Sequence, residues 1–266
     1  KAYPDNAGWG PSRVEAIIQA NVAKKPLADI YWTTSDWTQS LVKGNAVVDV
    51  TPYMEKYGTN ITKEAKELGT YNDAFYAFST DKPLVEDGLF YNMDLLKSKG
   101  LEDPAKLYKE GKWNWDTFRT WTASAKAMLT PQQAVLGGVI GVYAQNMVPL
   151  NGGALINAKS GRVGFGQTAA LETYGFLNQL WTEGLFEQTG AYDSGSALWQ
   201  AGDVLMHPGK FWFVGAPNRW AGLEFELAYV PYPTSTSYKG AYVSGVSGVA
   251  VYNVAAGLSK EKEELA

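Results

Sequence analysis

The chain of 266 residues contains no cysteine. Disulfides, thiolate metal sites and a cysteine nucleophile are therefore excluded. It contains a single histidine, His207, so neither a histidine-rich zinc site nor a histidine relay can be built. No run of roughly 18 apolar residues occurs, which rules out a transmembrane helix within this sequence, and it does not open on a signal-peptide pattern. An excess of one charge is missing too. The 23 Lys and Arg against 27 Asp and Glu leave a net charge of −4 with no basic stripe, so the electrostatic footprint of a nucleic-acid binder is absent. Charged residues make up only 19% and apolar ones 45%, an ordinary globular balance that argues against disorder.

What the chain has in excess is aromatic: 10 Trp and 16 Tyr. Part of this set belongs in a core. The rest suits platforms for an amphipathic, polar ligand such as a sugar, whose C–H faces pack on rings while its hydroxyls take hydrogen bonds.

Helix-like and strand-like segments alternate, which points to an α/β architecture. A helix is expected over 12–23, with Val14, Ile17, Ile18 and Val22 on one face. A short strand follows at 28–32, then a polar loop at 33–36, and a helix over 37–43 ended by Gly44. Thr51-Pro52 reads as a helix start with Thr51 as cap. Strands are expected at 74–79, 88–91, 204–206, 225–230 and 248–252. Asn92 and Asn114 read as N-caps, and the second opens an amphipathic helix with Phe118, Trp121, Ala125, Met128 and Leu129 inward. A further helix runs 168–183 before Gly184. Trp115, Trp121 and Trp181 are expected in the core. The last residues, 259–266, read as the start of a charged helix that is cut off. No linker or internal repeat marks a domain boundary.

Motifs for other chemistries are weak. Gly161, Gly164 and Gly166 lack the spacing of a phosphate loop. A Ser-His-Asp triad would have to use His207, and no Gly-x-Ser-x-Gly elbow accompanies it. Asp81, Glu86, Asp87, Asp116 and Asp193 are the carboxylates placed for a glycosidase pair, but with 27 acidic residues spacing alone proves nothing.

Several blocks in order resemble one family. Ala28-Asp29-Ile30-Tyr31-Trp32 resembles a Pro-Asp-hydrophobic strand that ends at a ligand. Tyr76-Ala77-Phe78 followed by Gly88 to Leu96 resembles a Tyr-x-hydrophobic and Tyr-Tyr-Asn-Lys-Asp-Leu signature, with Met93 in place of lysine. Asn151-Gly152-Gly153, then Gly202-Asp203-Val204-Leu205-Met206 with Trp212 beyond, continue the pattern, and Leu205 stands where alanine is usual. Tyr229 to Pro233 and Ser244 to Ser247 complete it. Together these resemble the carbohydrate-binding branch of the ABC-importer solute-binding proteins, extracellular solute-binding protein family 1, the maltodextrin-binding-protein-like group.

The resemblance implies a type II periplasmic-binding-protein fold: two α/β lobes joined by a hinge of crossing strands, with the chain incomplete at both ends. Lobe one would comprise 1–83 and 233–266, lobe two 84–232, and the crossings would lie near 84–88 and 229–232. It implies a monomer that captures a sugar or oligosaccharide outside the cytoplasm, in the periplasm or on a lipid anchor, and hands it to a membrane permease, with no cofactor, no metal and no catalysis. The implied ligand contacts are Trp32, Ser35, Asp36 and Trp37 from lobe one, and Asp81, Lys82, Glu86 and Asp87 at the first crossing. Tyr143, Gln145 and Asn146 would line lobe two, with Trp212 as the stacking ring, His207 and Lys210 beside it, and Tyr242 and Ser244 at the floor. The competing readings are a glycoside-active enzyme, a sugar-binding module unconnected with transport, and a solute-binding protein for a peptide or amino acid.

Overall fold

A computed structural model describes residues 9–79, 87–156, 162–244 and 248–266. Among these residues the strands are β1 Ile30–Thr34, β2 Thr70–Tyr71, β3 Ala74–Phe75, β4 Asp87–Asn92, β5 Ala134–Leu136, β6 Val204–Lys210, β7 Leu227–Val230 and β8 Ala250–Val254. The chain divides into two compact units, one of residues 1–84 and 246–266, the other of residues 85–245.

The first unit is discontinuous. β1 pairs antiparallel with β8, Ile30 opposite Val254 and Thr34 opposite Ala250. Tyr31 and Thr33 point inward and Ile30 and Trp32 outward, the period-two alternation of a half-buried strand. The pair is locked by Asn253, fully buried, whose side chain accepts from the Thr33 hydroxyl and donates to Tyr76 O at 2.9 Å. This is why β1 runs through Thr33 and Thr34, where a polar loop was expected: the Thr33 hydroxyl finds a partner inside the ladder, and Thr34 keeps the backbone register opposite Ala250. Helix Pro11–Val22 packs Ile17 against Tyr31, Leu41 and Ala46.

The second unit is a four-stranded sheet in the order β5-β6-β4-β7. β5 and β6 are parallel, while β4 is antiparallel to β6 and to β7. All six β4 residues are buried, as a central strand covered on both faces requires. One side carries the helix Trp115–Met128, which buries Phe118, Trp121 and Ala125 and is capped by Asn114 Oδ1 accepting from Thr117 N at 3.2 Å. Helix Thr168–Thr182 ends before Gly184, whose φ of +67° suits a left-handed stop. The other side holds a second cluster in which Trp199 and Trp220 are fully buried with Phe90 and Phe213.

Four expectations are corrected here. Thr51 is the first helical residue, not the cap: its hydroxyl accepts from Phe75 N at 2.9 Å, and Val50 takes the cap position. Trp181 is 38% exposed, on the outer side of its helix. Residues 233–244 do not belong with the first unit. Trp115 N donates to Thr234 O, Ser235 N to Leu150 O and Tyr242 Oη to Tyr232 O, all within the second unit. Likewise 229–232 is no crossing, since Val230 pairs with Leu89 and Pro231 O accepts from Trp113 Nε1 at 2.8 Å.

Candidate functional site

In the second unit the strand directions bring four ends together. The carboxyl ends of β5, β6 and β7 and the amino end of β4 form one edge, with Asp87 opposite Lys210 in register. Ligands of open α/β sheets collect at the carboxyl ends of strands, where loops replace the ladder.

β6 explains what is presented there. It continues through His207-Pro208-Gly209, past the end expected for this strand at Met206. Beyond Met206 the neighbouring β5 has ended, so Pro208 sits where β6 needs no N–H on that side. The strand stays buried to Gly209, and the short helix Phe211–Gly215 then turns Phe211 and Trp212 outward, 49% and 48% exposed. Trp212, the expected stacking ring, is thus an open aromatic surface at this edge, and Phe211 doubles it. Phe211 was not anticipated, although its place beside Trp212 was a usable signal.

Charge at the edge comes in pairs. Lys210 Nζ lies 3.3 Å from Asp87 Oδ2. Burial pushes the Asp87 carboxyl above its usual range, against the pull of Lys210 and of the Tyr192 hydroxyl. Arg219 Nη2 lies 3.0 Å from Asp193 Oδ2, with its guanidinium carbon 5.6 Å from the Trp212 ring centre. Tyr229 donates to Asp87 O at 3.2 Å, and burial, Tyr108 and Asp87 push its hydroxyl up to about 12. Tyr242, 38% exposed, packs edge-on to Tyr108 at 5.8 Å, and burial, Tyr229 and Tyr108 push its hydroxyl up, so it joins the same group of phenols.

The segment 187–196 is pinned to this edge. Buried Glu187 accepts from Gly138 N at 2.9 Å through one oxygen and from the Ser196 hydroxyl at 2.5 Å through the other. Gly190 lies so close to Gly138 O that an added Cβ would stand 1.9 Å from it. Ala191 O faces His207 Nε2 at 3.0 Å, and Tyr192 reaches Asp87 Oδ1 at 3.4 Å. None of Glu187, Tyr192 and Arg219 could be found from sequence, because each acts through a partner distant in the chain.

Three expected contacts are corrected. His207 is fully buried between Trp199 and Trp220, with ring centres 4.9 and 5.4 Å away, and is a core residue. Its Nδ1 lies 2.8 Å from Pro208 O, and burial pulls its pKa down to about 4. Tyr143 is fully buried and donates to Gly137 O at 3.1 Å, supporting the loop after β5 from behind. Asn146 is buried and donates to Val142 O within its own helix. Gln145 on that helix is exposed, and Ser244 is half-buried.

In the first unit the carboxyl end of β1 carries Ser35, Asp36 and Trp37. Ser35 N donates to Val249 O at 2.9 Å and Asp36 is exposed. Trp9 bridges Trp32 and Trp37 with ring centres 5.2 and 4.8 Å away, and Arg13 lies over Trp9 at 4.8 Å. Trp32 is 51% exposed opposite Tyr252, while Trp37 is half-buried against the core. Asp81, Lys82 and Glu86 lie outside the described residues. No cluster of three or more metal-binding side chains occurs among the described residues.

The model of the bacterial extracellular solute-binding proteins matches residues 7–257. The chain belongs to that family. Its members are binding proteins that act outside the cytoplasm. Solved structures agree on the fold. The GacH receptor of Streptomyces glaucescens, solved with acarbose, superposes with a TM-score of 0.68 at 18% identity, over 94% of this chain and 62% of that one. UgpB of Mycobacterium tuberculosis, solved with glycerophosphocholine, gives 0.72 at 16%, over 98% and 65%. The sugar-binding protein MalE of Xanthomonas citri gives 0.70 at 13%, over 100% and 65%. The fold of this solute-binding chain is therefore the type II periplasmic-binding-protein fold with mixed α/β content. The chain spans under two thirds of the length of these structures. No curated protein matches it.

Proposed function

We propose that this solute-binding chain captures a neutral carbohydrate and delivers it to the permease of an ABC importer. The observation that carries the reading is the Phe211–Trp212 surface at the carboxyl end of β6, flanked by the Asp87–Lys210 and Asp193–Arg219 pairs. Flat rings fit the C–H faces of a sugar, and carboxylates and phenols fit its hydroxyls. Lys210 and Arg219 each face a carboxylate, so a phosphodiester arriving here would have to compete for them. This favours a sugar, the ligand type named for GacH and MalE, over one like that of UgpB.

In this reading Trp32, Ser35, Asp36 and Trp37 supply contacts from the first unit. Asp81, Lys82, Glu86, Gln145, Tyr242 and Ser244 complete the set, and ligand shifts the population toward a closed form about a hinge. The protein works as a monomer, in the periplasm or on a lipid anchor, and leaves the sugar intact.

The test is titration with maltose, maltotriose, acarbose and glycerophosphocholine, reading Trp fluorescence and thermal shift, with chromatography of the sugar afterwards. A ligand bound only by the native state at 100 times its Kd adds about 2.7 kcal/mol of stability. Saturable binding of an intact sugar, weakened about tenfold or more by Trp212→Ala, is the expected result. Binding of glycerophosphocholine alone overturns the sugar assignment, and consumption of the sugar makes the protein a glycoside-active enzyme.

A further inference from the structure

Arg219 is held in an arrangement that its own hydrogen bonding does not explain. Its Nη2 meets Asp193 Oδ2 at 3.0 Å and its Nη1 donates to Asn218 O at 3.0 Å, but its Nε is buried with no hydrogen-bond partner. An orphaned buried donor carries a desolvation penalty, so something else fixes the group. The guanidinium carbon sits 5.6 Å from the centre of the Trp212 ring, within cation–π range. Phe213 meets the same ring edge-on at 4.5 Å and 88°. Trp212 is therefore held by a fully buried phenylalanine and by a cation that is itself tied to segment 187–196 through Asp193. Gln200 strengthens the tie, since its amide donates both to Ser194 O and to Arg219 O.

We infer that Arg219 is a positioning residue: tethered by Asp193, it fixes the orientation of the half-exposed Trp212 ring and so preorganises the stacking surface for ligand. The benefit to binding rests on the proposed function, whereas the fixing of the ring does not. Ordering one such side chain ahead of binding is worth roughly three- to tenfold in Kd.

The protein labelled with 5-fluorotryptophan gives ten fluorine resonances to resolve by NMR, and Trp212→Phe identifies that of Trp212. In Arg219→Met the Trp212 resonance should move and broaden while those of buried Trp199 and Trp220 stay in place, and Arg219→Lys should restore part of the shift. Asp193→Asn lies on an exposed side chain and should loosen the ring in the same direction, which keeps the test open should Arg219→Met fold poorly. With maltotriose, the Met and Asn variants should bind three- to tenfold more weakly. A Trp212 resonance indifferent to both Arg219→Met and Asp193→Asn overturns the inference. If the wild type binds none of the sugars yet the resonance responds, the function fails and the positioning stands.

Discussion

Asp87 and Lys210 stand directly opposite each other at the ends of β4 and β6, with side chains 7% and 16% exposed. Removing one partner strands the other charge with little water. Lys210→Met should therefore cost roughly 3 kcal/mol of unfolding free energy. Adding Asp87→Asn should recover much of that loss, so the double variant falls well short of the sum of the singles. Urea unfolding at neutral pH measures all three. A loss below about 0.5 kcal/mol for Lys210→Met would mean that water screens the pair as it does at the surface.

The approach of Gly190 to Gly138 predicts a steric effect. A methyl group at 190 meets a backbone oxygen at 1.9 Å, which cannot rotate away as a side-chain tip could. Gly190→Ala should cost about 1–3 kcal/mol by overpacking and should also weaken ligand binding, since segment 187–196 has to lift. Gly222→Ala, whose added carbon meets nothing within 4 Å, is the control and should be neutral. Equal melting temperatures for the two variants would refute the close packing.

His207 gives a pH dependence with a definite sign. Its folded pKa is depressed to about 4 by burial, from 6.5 in the open chain. The unfolded state therefore takes up the proton first as pH falls, and stability drops from about pH 6.5 down to about pH 4. The limit of the effect is about 3 kcal/mol. His207→Gln should flatten the wild-type curve across that window and leave the alkaline side unchanged. A wild-type-minus-variant difference constant with pH would disprove it.

Asn253 in β8 ties β1, through Thr33, to the segment that follows β3, through Tyr76. Asn253→Ala leaves a buried threonine hydroxyl and a backbone carbonyl without partners, at a cost of about 2–4 kcal/mol. Pairing Asn253→Leu with Thr33→Val removes the acceptor and the hydroxyl donor together and should lose less than Asn253→Ala. Thermal unfolding of both variants decides this.

Much of this architecture could be read from local chemistry. Asn92 and Asn114 cap their helices as expected, with Asn92 Oδ1 accepting from Leu95 N at 2.9 Å, because a cap needs only its own next turn. Trp32 and Trp212 are as exposed as their places near strand ends imply. His207 and Tyr143 were misjudged for one reason: nearness in sequence to a surface residue says little when a strand alternates or a helix rotates between core and solvent. The extension of β6 through Pro208 depends on where β5 stops, a tertiary fact. The roles of Glu187 and Arg219 rest on partners that no pattern reveals.

The pairing of β1 with β8 has a consequence for how the protein is made. Thr33 and Asn253 are 220 positions apart, so the ladder that closes the first unit forms only after residue 253 has left the ribosome. The continuous unit of residues 85–245 faces no such wait. Folding should therefore proceed in two stages of unequal speed, since long loops must close before distant strands reward them. The late stage keeps β1 unpaired for longest, and its open edge, with Trp32 and Ile30 on one face, is where a misfolding partner would take hold.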